Sequence, residues 1–382
     1  MKQPYAKLKL DKAGNQVVRV PLYVAATSPF TLVTFDEEDK PQFTLEEVNN
    51  RSYDRLKLCR TTTSFDPLLS AMDRMAVIVS YTGALLFPRI QNVTEEDVLD
   101  SANRLLLKLT FGGIDFDAVA PSDVGFGTIY GTGYYLTGGG AGGRNFSRLM
   151  ALQHQDAGSF DTMELLHPRV RTATQMRSAL MTGTPVVDNI PEISPNLFLN
   201  GLTYFRQREL APALVFLWST CESLIGRLWD DHVVPKGAGI PGRKRFVEGN
   251  GWQAAHMIEV LYQTGSINSD LYTRLSHART ARNALAHRGT QPSLDHCKAC
   301  LRASFELVSA VRSGGSVQDE FKSLADRLAA AHDPRTGPLN PQYWRDIPSV
   351  PGDENWEGDY SKHPEIELVP ISELRRPDAV GG

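Results

Sequence analysis

The sequence contains few cysteines: four in 382 residues, at Cys59, Cys221, Cys297 and Cys300. So few thiols in so long a chain do not form the disulfide framework that holds small secreted proteins together. Cys297 and Cys300 have C-x-x-C spacing, but no second such pair completes a tetrahedral zinc site. We therefore interpret both as packing residues of a helix and predict no metal.

Long apolar runs are also missing. The longest, Met75 to Phe87, is interrupted by Ser80, Thr82 and Gly83, and it is too short to cross about 30 Å of hydrocarbon. The segment from Met1 to Lys7 has no apolar run of the kind that a secretory signal needs. These absences predict a cytoplasmic protein without a membrane partner.

Neither sign of charge dominates, since 40 basic and 44 acidic residues give a net charge of -4. This balance argues against a generally basic nucleic-acid coat protein. Basic and acidic residues number 19 and 22 in residues 1–195, 16 and 12 in residues 196–331, and 5 and 10 in residues 332–382. Because the chain is too long for one ordinary core, we predict an α+β protein with three parts. These are a mixed α/β domain over 1–190 with an unassigned sensor or regulatory role, a helical bundle over 196–331, and an acidic tail.

Residues 1–190 carry two kinds of hydrophobic pattern. Alternating residues predict a β-hairpin and two further strands: Tyr5–Leu10, Gln16–Ala25, Phe30–Phe35 and Gln42–Val48. Helical spacing predicts helices over Asp66–Leu86 and Thr94–Leu107, the second with Thr94 as its N-cap. The two patterns therefore predict that the first domain is mixed α and β, with a β-hairpin or sheet.

A glycine-rich segment covers residues 111–144. It has neither the glycine spacing of a dinucleotide-binding turn nor the Lys-Ser/Thr pair of a phosphate loop, so we interpret it as a mobile or tightly turning loop. A phosphate-cradling role remains an alternative, and it would make the chain a nucleotide-sensing regulatory protein. Residues 183–197, with three prolines, are interpreted as the interdomain linker.

The helical signal becomes strong from Leu197 onward. A short helix through Tyr204 and Phe205 precedes a long one from Leu210, whose apolar stripe is Leu214, Leu217, Trp218, Cys221, Leu224, Ile225, Leu228 and Trp229. Glu222 lies beside this stripe, so we predict a partly buried carboxylate that needs a partner. Further helices are predicted over Trp252–Thr264, Asn268–His287, Ser293–Arg312 and Val317–Ala331.

The central helix of this bundle has three polar residues of chemical interest. At 100° per residue its core-facing sector contains Leu271, Leu275, Ala278, Leu285 and Ala286. Arg282 falls in the middle of that sector, where a guanidinium needs a partner, a solvent channel or an interface. Asn283 and His287, four residues apart, are neighbours on a second face.

Each of these residues also has a purely structural interpretation. An ion pair with Glu222 would account for Arg282, and the helix dipole would favour a positive His287 at the helix end. Arg279 and Arg288 flank the three residues and are interpreted as RNA phosphate contacts or as solvated helix charges. The basic cluster of Arg243, Lys244 and Arg245 is likewise a solvated loop or a phosphate-contacting patch.

The segment Arg282-Asn283-Ala284-Leu285-Ala286-His287 resembles the Arg-polar-x-x-x-His motif of HEPN domains. These are helical ribonuclease modules of prokaryotic toxin, anti-phage defence and RNA-processing systems. The preceding helix, Ala211 to Trp229 with Glu222 inside it, is similar to the long amphipathic helix of the Apea-like branch. The resemblance covers about residues 197–315 and implies an all-α HEPN fold.

The resemblance also implies metal-independent RNA cleavage that requires no cofactor. The ribose 2′-hydroxyl attacks the adjacent phosphate and leaves a 2′,3′-cyclic phosphate and a 5′-hydroxyl. His287 would move the proton, Arg282 would hold the phosphate, and Asn283 would orient His287 or contact the phosphate, with Glu222 as a supporting residue.

Arg282 and His287 are about 140° apart on an ideal helix, which complicates these roles. Either the helix frays at His287, or a second copy completes the cleft in a homodimer or higher homo-oligomer. HEPN domains commonly place the motif at a dimer interface, so we favour the second explanation.

The acidic tail, residues 332–382, is rich in proline and poor in aliphatic residues. It is therefore predicted to be extended rather than packed in a core. Its aromatic residues leave open an alternative, in which the tail docks on the basic bundle and restrains it. For the whole chain, the main rival to an endoribonuclease is a non-catalytic HEPN module that binds nucleic acid or a partner protein.

Overall fold

The sheet of the N-terminal half starts with the predicted hairpin. The computed structural model describes residues 7–10, 16–39, 42–65, 76–130, 133–139, 142–156, 164–166, 168–237, 251–314 and 321–330. Within these residues, β1 (Lys7–Leu10) pairs antiparallel with β2 (Gln16–Ala25), and Leu10 lies opposite Gln16. The paired strands confirm the hairpin, whose turn at residues 11–15 lies outside the described residues.

Among the described residues, seven strands form one antiparallel sheet, with six of them in the order β4-β5-β6-β2-β7-β8 and β1 paired with β2. Besides β1 and β2 these are β4 (Thr61–Phe65), β5 (Val77–Ser80), β6 (Leu85–Pro88), β7 (Val124–Tyr130) and β8 (Gly133–Gly139). A separate pair of parallel strands consists of β3 (Thr31–Thr34), which confirms the predicted strand there, and β9 (Arg169–Thr172). The predicted mixed α and β character is therefore confirmed.

Strand β2 is central to the sheet because residues 22–25 are buried on both of its faces. Tyr23 and Ala25 belong to the main hydrophobic core, whereas Leu22 and Val24 belong to a second cluster on the opposite face. Successive side chains of a strand point to opposite faces, so one strand supports helices on both sides of the sheet.

The strand predicted over Gln42–Val48 is wrong, since residues Leu45–Asn49 form a short helix, α1. The Thr44 side chain accepts the backbone N–H of Glu47 at 3.1 Å, and the Glu47 carboxylate accepts the backbone N–H of Thr44 at 2.9 Å. This reciprocal capping box favours a helix start over continued alternation.

The helix predicted over Asp66–Leu86 is also wrong in its described part. Strands β5 and β6 occupy it and pair through Ile78 with Leu86 and Val79 with Leu85. The run of β-branched residues from Val77 to Val79 favours a strand, and Val77 and Val79 are buried. Residues 66–75 lie outside the described part.

Residues 124–130 and 133–139 of the glycine-rich segment form a pair of strands rather than a loop. Strand β7 pairs with β2 on one side and with β8 on the other, so its backbone amides lie in the sheet and do not form a phosphate cradle. A Cβ at Gly125 would lie 2.2 Å from the ring of Phe146, so glycine allows the following helix to pack directly on the strand.

The described part of this half also contains the helices α2 (Arg55–Leu58), α3 (Glu95–Phe111), α4 (Arg144–His154) and α5 (Ala173–Asn189). The prediction for α3 is confirmed, since Thr94 caps its first turn in a capping box with Asp97. The linker predicted over residues 183–197 is too long. Helix α5 continues through Pro185, because the buried Val186 and Val187 hold the segment against the core.

The described residues that follow form seven helices: α6 (Pro195–Arg206), α7 (Leu210–His232), α8 (Val234–Gly237), α9 (Ala254–Gln263), α10 (Ser269–Arg288), α11 (Leu294–Arg312) and α12 (Lys322–Ala329). All eight residues of the predicted apolar stripe on α7 are buried. The helical character of this half is therefore confirmed, although the first residues of the predicted last helix are not described.

One hydrophobic core contains residues of both the sheet and the helical half, from Tyr23 to Ala329. Residues 1–333 form one compact unit, and the turn from Ile190 to Ser194 separates α5 from α6. The division into domains at residues 190 and 196 stays a prediction. The acidic tail lies outside the described residues, and no helix among those described is long and apolar enough to cross a membrane.

Candidate functional site

Helix α10 positions the motif residues. The Asn268 side chain caps its start by accepting the backbone N–H of Leu271 at 2.9 Å. At its end Gly289 adopts a φ of 66°, and its N–H donates to the carbonyl of Leu285 at 3.0 Å. This left-handed glycine cap ends the helix after Arg288. The helix therefore continues through His287, and the explanation in which it frays at that residue is wrong.

The motif lies beyond the buried part of α10. Leu271, Leu275, Ala278 and Ala281 are buried, and no residue from position 282 to the end of the helix is. The expected core positions of Leu285 and Ala286 are therefore wrong, since Leu285 is half-buried and Ala286 is exposed. Helical periodicity assigns a face, but burial also needs a neighbouring element at the same height along the axis.

Arg282 is half-buried and donates a hydrogen bond from Nη1 to Oδ1 of Asn283 at 3.3 Å. Residues adjacent in a helix point about 100° apart, so this bond draws the guanidinium toward the face that carries Asn283. Among the residues that the structure describes, no carboxylate forms an ion pair with Arg282.

Glu222 does not have the predicted environment. Its side chain is exposed on α7, and no ion pair with Arg282 is present within the described residues. The neighbouring Cys221 and Leu224 are buried, so the edge of the buried stripe passes between Cys221 and Glu222. The expected partly buried carboxylate is therefore wrong.

Asn283 and His287 lie one turn apart on the accessible side of α10, with Asn283 half-buried and His287 exposed. His287 forms no hydrogen bond or ion pair with another described residue. The arrangement thus presents a free imidazole next to an amide that already holds a guanidinium. We call Arg282, Asn283 and His287 the motif cluster.

The structure describes only some of the basic residues that were candidates for RNA contacts. Arg279 is half-buried on the same helix and Arg288 is exposed at its end. Arg243, Lys244 and Arg245 lie outside the described residues. The structure therefore brings two of the five candidate RNA contacts next to the motif cluster.

Cys297 and Cys300 are buried on α11, which confirms their interpretation as packing residues. Burial raises the pKa of Cys297 to about 12. Cys221 faces the same region, and its Sγ lies 3.9 Å from the carbonyl oxygen of Cys300. The three thiols belong to the bundle interior.

A surface cleft of about 80 Å³ lies at the opposite end of α10, lined by Asn268, Asp270, Arg274, Arg302, Phe305, Glu306, Phe321, Lys322, Ala325 and Asp326. Sequence reasoning did not single it out. Its charged groups largely satisfy one another, since Arg274 pairs with Glu306 at 3.2 Å and Arg302 with Asp326 at 2.8 Å. These pairs leave the motif cluster as the better candidate site.

His296 has a role that the sequence analysis missed. It is the third residue of α11, and its Nδ1 accepts the backbone N–H of the N-cap residue Ser293 at 3.0 Å. Its ring also packs edge-on against His277, with centroids 4.6 Å apart. His277 is exposed. An S-x-x-H sequence ahead of an apolar helix is the signal that would have identified this capping box.

Acid is expected to weaken the cap that His296 forms. Burial lowers the pKa of His296 below its ordinary value of 6.5, the charge of His277 lowers it further, and Asp295 opposes both. The unfolded chain therefore binds this proton more readily than the folded chain. The stabilisation is complete above the unfolded pKa and is lost as the pH falls through the lower folded pKa.

The substitution His296→Gln retains an acceptor for the Ser293 N–H and removes the titrating group. We expect the melting temperature of the wild type to fall more steeply between pH 7 and pH 5 than that of this variant. Thermal unfolding followed by circular dichroism at both pH values gives the comparison. Parallel pH profiles would contradict the role of His296.

Comparison with known proteins identifies no relative of this chain, since no family model, curated protein or solved structure matches it.

Proposed function

We propose that this chain is a metal-independent endoribonuclease of HEPN type, with Arg282, Asn283 and His287 as its catalytic residues. The observation that carries the proposal is the hydrogen bond from Arg282 to Asn283, one turn before an exposed His287. The three residues together provide a guanidinium and an imidazole on the accessible end of one helix. A role in anti-phage defence or as a toxin is part of the proposal and rests on the HEPN resemblance.

The residues suit the attack of a ribose 2′-hydroxyl on the neighbouring phosphate. The 2′-oxygen bonds to phosphorus while the bond from phosphorus to the 5′-oxygen breaks. His287 takes the proton of the 2′-hydroxyl, since histidine exchanges protons near neutral pH. Arg282 holds two phosphate oxygens and stabilises the charge that develops on them. The 5′-oxygen takes up a proton from a second imidazole or from water.

Asn283 acts as a link between the two groups. Its Oδ1 accepts from Arg282, and its amide nitrogen keeps two N–H donors that can orient His287 or contact the phosphate. Arg282 and His287 are about 140° apart on an ideal helix. Because the hydrogen bond draws the Arg282 guanidinium toward Asn283, this group approaches the face that carries His287. Glu222 is exposed on α7 and has no place in this arrangement.

A homodimer or higher homo-oligomer through the ends of α10 remains part of the proposal. Leu285 is half-buried and Ala286 is exposed beside Arg282, so an apolar edge adjoins the motif cluster. A second copy of the helix on this edge would bring a second His287 to the phosphate. One imidazole would then serve as base and the other as acid.

Purified protein incubated with end-labelled RNA tests the proposal. We expect products with a 2′,3′-cyclic phosphate and a 5′-hydroxyl, and we expect unchanged cleavage in EDTA because the protein side chains alone move the proton. RNA with a 2′-deoxy nucleotide at the scissile position should resist cleavage and serves as the matched control. Products with 5′-phosphates, or full inhibition by EDTA, would sink the proposal.

A further inference from the structure

Two tyrosines form an exposed aromatic pair next to the motif helix. Tyr262 near the end of α9 packs against Tyr272 in the second turn of α10, with ring centroids 4.7 Å apart and planes inclined by 33°. Tyr262 remains 40% exposed, which is high for a large aromatic side chain. The hydroxyl of Tyr272 donates to Glu259 Oε2 at 2.8 Å and fixes the inner ring. The pair is therefore an ordered platform that is open to solvent on its outer side.

The platform lies on the same face of α10 as Asn283 and His287, two residues of the motif cluster. From Tyr272, steps of four, three, four and four residues reach Ser276, Arg279, Asn283 and His287. These steps return to one side of a helix, so the five side chains form a stripe about 22 Å long. Glu259 raises the pKa of Tyr272, and the opposing effects of Ser276 and Arg279 reflect their closeness to the phenol.

Positive charge along this stripe is available to a ligand. Arg274, on another side of α10, is paired with Glu306. In contrast, Arg279 and Arg282 form no ion pair with any residue in the described part of the chain. A phosphate would therefore meet these two guanidinium groups without displacing a carboxylate. Glu259 keeps negative charge at the platform end, which favours a base there and a phosphate over Arg279.

We propose that the Tyr262–Tyr272 platform binds an unpaired base of single-stranded RNA, and that the RNA backbone runs along α10 over Arg279 to the motif cluster. The proposal rests on the proposed ribonuclease function and adds a substrate subsite to it. Base stacking on tyrosine tolerates any sequence, because every base presents a π face. The subsite therefore selects unpaired RNA of any base sequence. The stacked base lies a few nucleotides from the scissile bond.

Binding of a short, fluorescent 2′-O-methyl RNA tests the subsite, because this probe lacks the attacking hydroxyl and cannot be cleaved. Loss of one stacked base lowers the affinity about tenfold. We therefore expect Tyr262→Ala to weaken binding about tenfold and Tyr262→Phe to retain it within about twofold. Phe35→Ala removes another exposed aromatic, 68% accessible and outside α9 and α10, and should leave binding unchanged.

Removing a base from the probe gives a second, independent measurement. An abasic nucleotide at the stacked position should weaken binding to the wild type and have no further effect on Tyr262→Ala. Arg279→Gln should reduce the slope of log affinity against log salt by about 0.7, the value for one phosphate contact to a single strand. Arg144→Gln removes an exposed arginine on α4 and should leave that slope unchanged.

The outcomes separate the subsite from the proposed activity. Wild-type affinity in Tyr262→Ala, equal losses in the alanine and phenylalanine variants, or no affinity of the wild type for the probe would each overturn the subsite. If RNA is cleaved while Tyr262→Ala binds normally, the ribonuclease stands and the subsite falls. If binding depends on Tyr262 but no RNA is cleaved, the subsite stands and the ribonuclease falls.

Discussion

The substitution His287→Ala is expected to reduce the rate of RNA cleavage by about 10²- to 10⁴-fold, the usual contribution of a general acid or base. The fold should remain intact, because His287 is exposed and forms no hydrogen bond or ion pair with the described residues. Single-turnover cleavage of labelled RNA measures the rate, and circular dichroism checks the fold.

The same helix provides a matched control for this substitution. His277 is also exposed, but it lies on another side of α10, where it packs against His296. The His277→Ala variant should therefore cleave RNA at close to the wild-type rate. Equal losses in His277→Ala and His287→Ala would indicate damage to the helix rather than removal of a catalytic group.

Arg282→Ala should reduce the rate of RNA cleavage by a similar factor. Arg282→Lys should restore little of the lost rate. Lysine keeps the charge but cannot hold two phosphate oxygens with the planar geometry of a guanidinium. Since the described partner of Arg282 is the side chain of Asn283, its loss leaves no buried charge unpaired. Full activity of the double variant lacking Arg282 and His287 would refute the catalytic assignment.

The largest expected effect on stability is at Gly183. Helix α5 approaches α3 so closely there that a Cβ at Gly183 would lie 1.8 Å from the carbonyl oxygen of Lys108. A Cβ at Gly112 would similarly lie 2.0 Å from the carbonyl oxygen of Ala179. Gly183→Ala must separate the two helices, and we expect a loss of about 3 kcal/mol in the free energy of unfolding.

Separation of these helices would also disturb a buried charge. The Lys108 side chain is 2% exposed, and its ammonium group lies 3.0 Å from Asp188 on α5. Burial lowers the pKa of Lys108 and the nearby Asp188 opposes that shift, so the ion pair offsets part of the cost of burying the ammonium group. A wider gap would weaken this pair and add to the cost of overpacking.

Gly226→Ala is the matched control for Gly183→Ala. Gly226 also lies inside a helix, α7, but nothing lies within 4 Å of the Cβ that alanine would add. Alanine should therefore stabilise the protein by about 0.5–1 kcal/mol through its better helix propensity. Urea unfolding of both variants gives the two free energies. A small loss for Gly183→Ala would show that the helices adjust without strain.

The sequence predicted the elements that carry strong local signals. The apolar stripe of α7 is a repeated pattern and Thr94 is a strong N-cap residue, and the structure has both features. The hydrophobic pattern predicts the wrong element for residues 77–86, whose short apolar run fits either period, and for residues 42–48, which have only three apolar residues. There the capping box of Thr44 and the pairing of β5 with β6 decide the structure.

The environment of the candidate site was harder to predict than its residues. Winding α10 correctly placed Asn283 and His287 together, but it assigned Ala286 to the core, where it is exposed. A helical wheel describes angles and not the length over which neighbours cover the helix. For the same reason the helical wheel places Glu222 beside the buried stripe of α7 but does not show that the Glu222 side chain faces solvent. The Tyr262–Tyr272 pair joins two helices, so no periodicity within one helix reveals it.

The aromatic contacts between α3 and the helical half affect how the candidate nuclease region can be isolated. The ring of Phe111 on α3 lies 5.4 Å from Phe198, 5.5 Å from Phe305 and 5.3 Å from Phe321. A chain cut at residue 190 would remove Phe111 and leave these three rings facing water. Because such a patch promotes aggregation, the helices that carry the motif cluster depend on the sheet region for their solubility as well as for their packing.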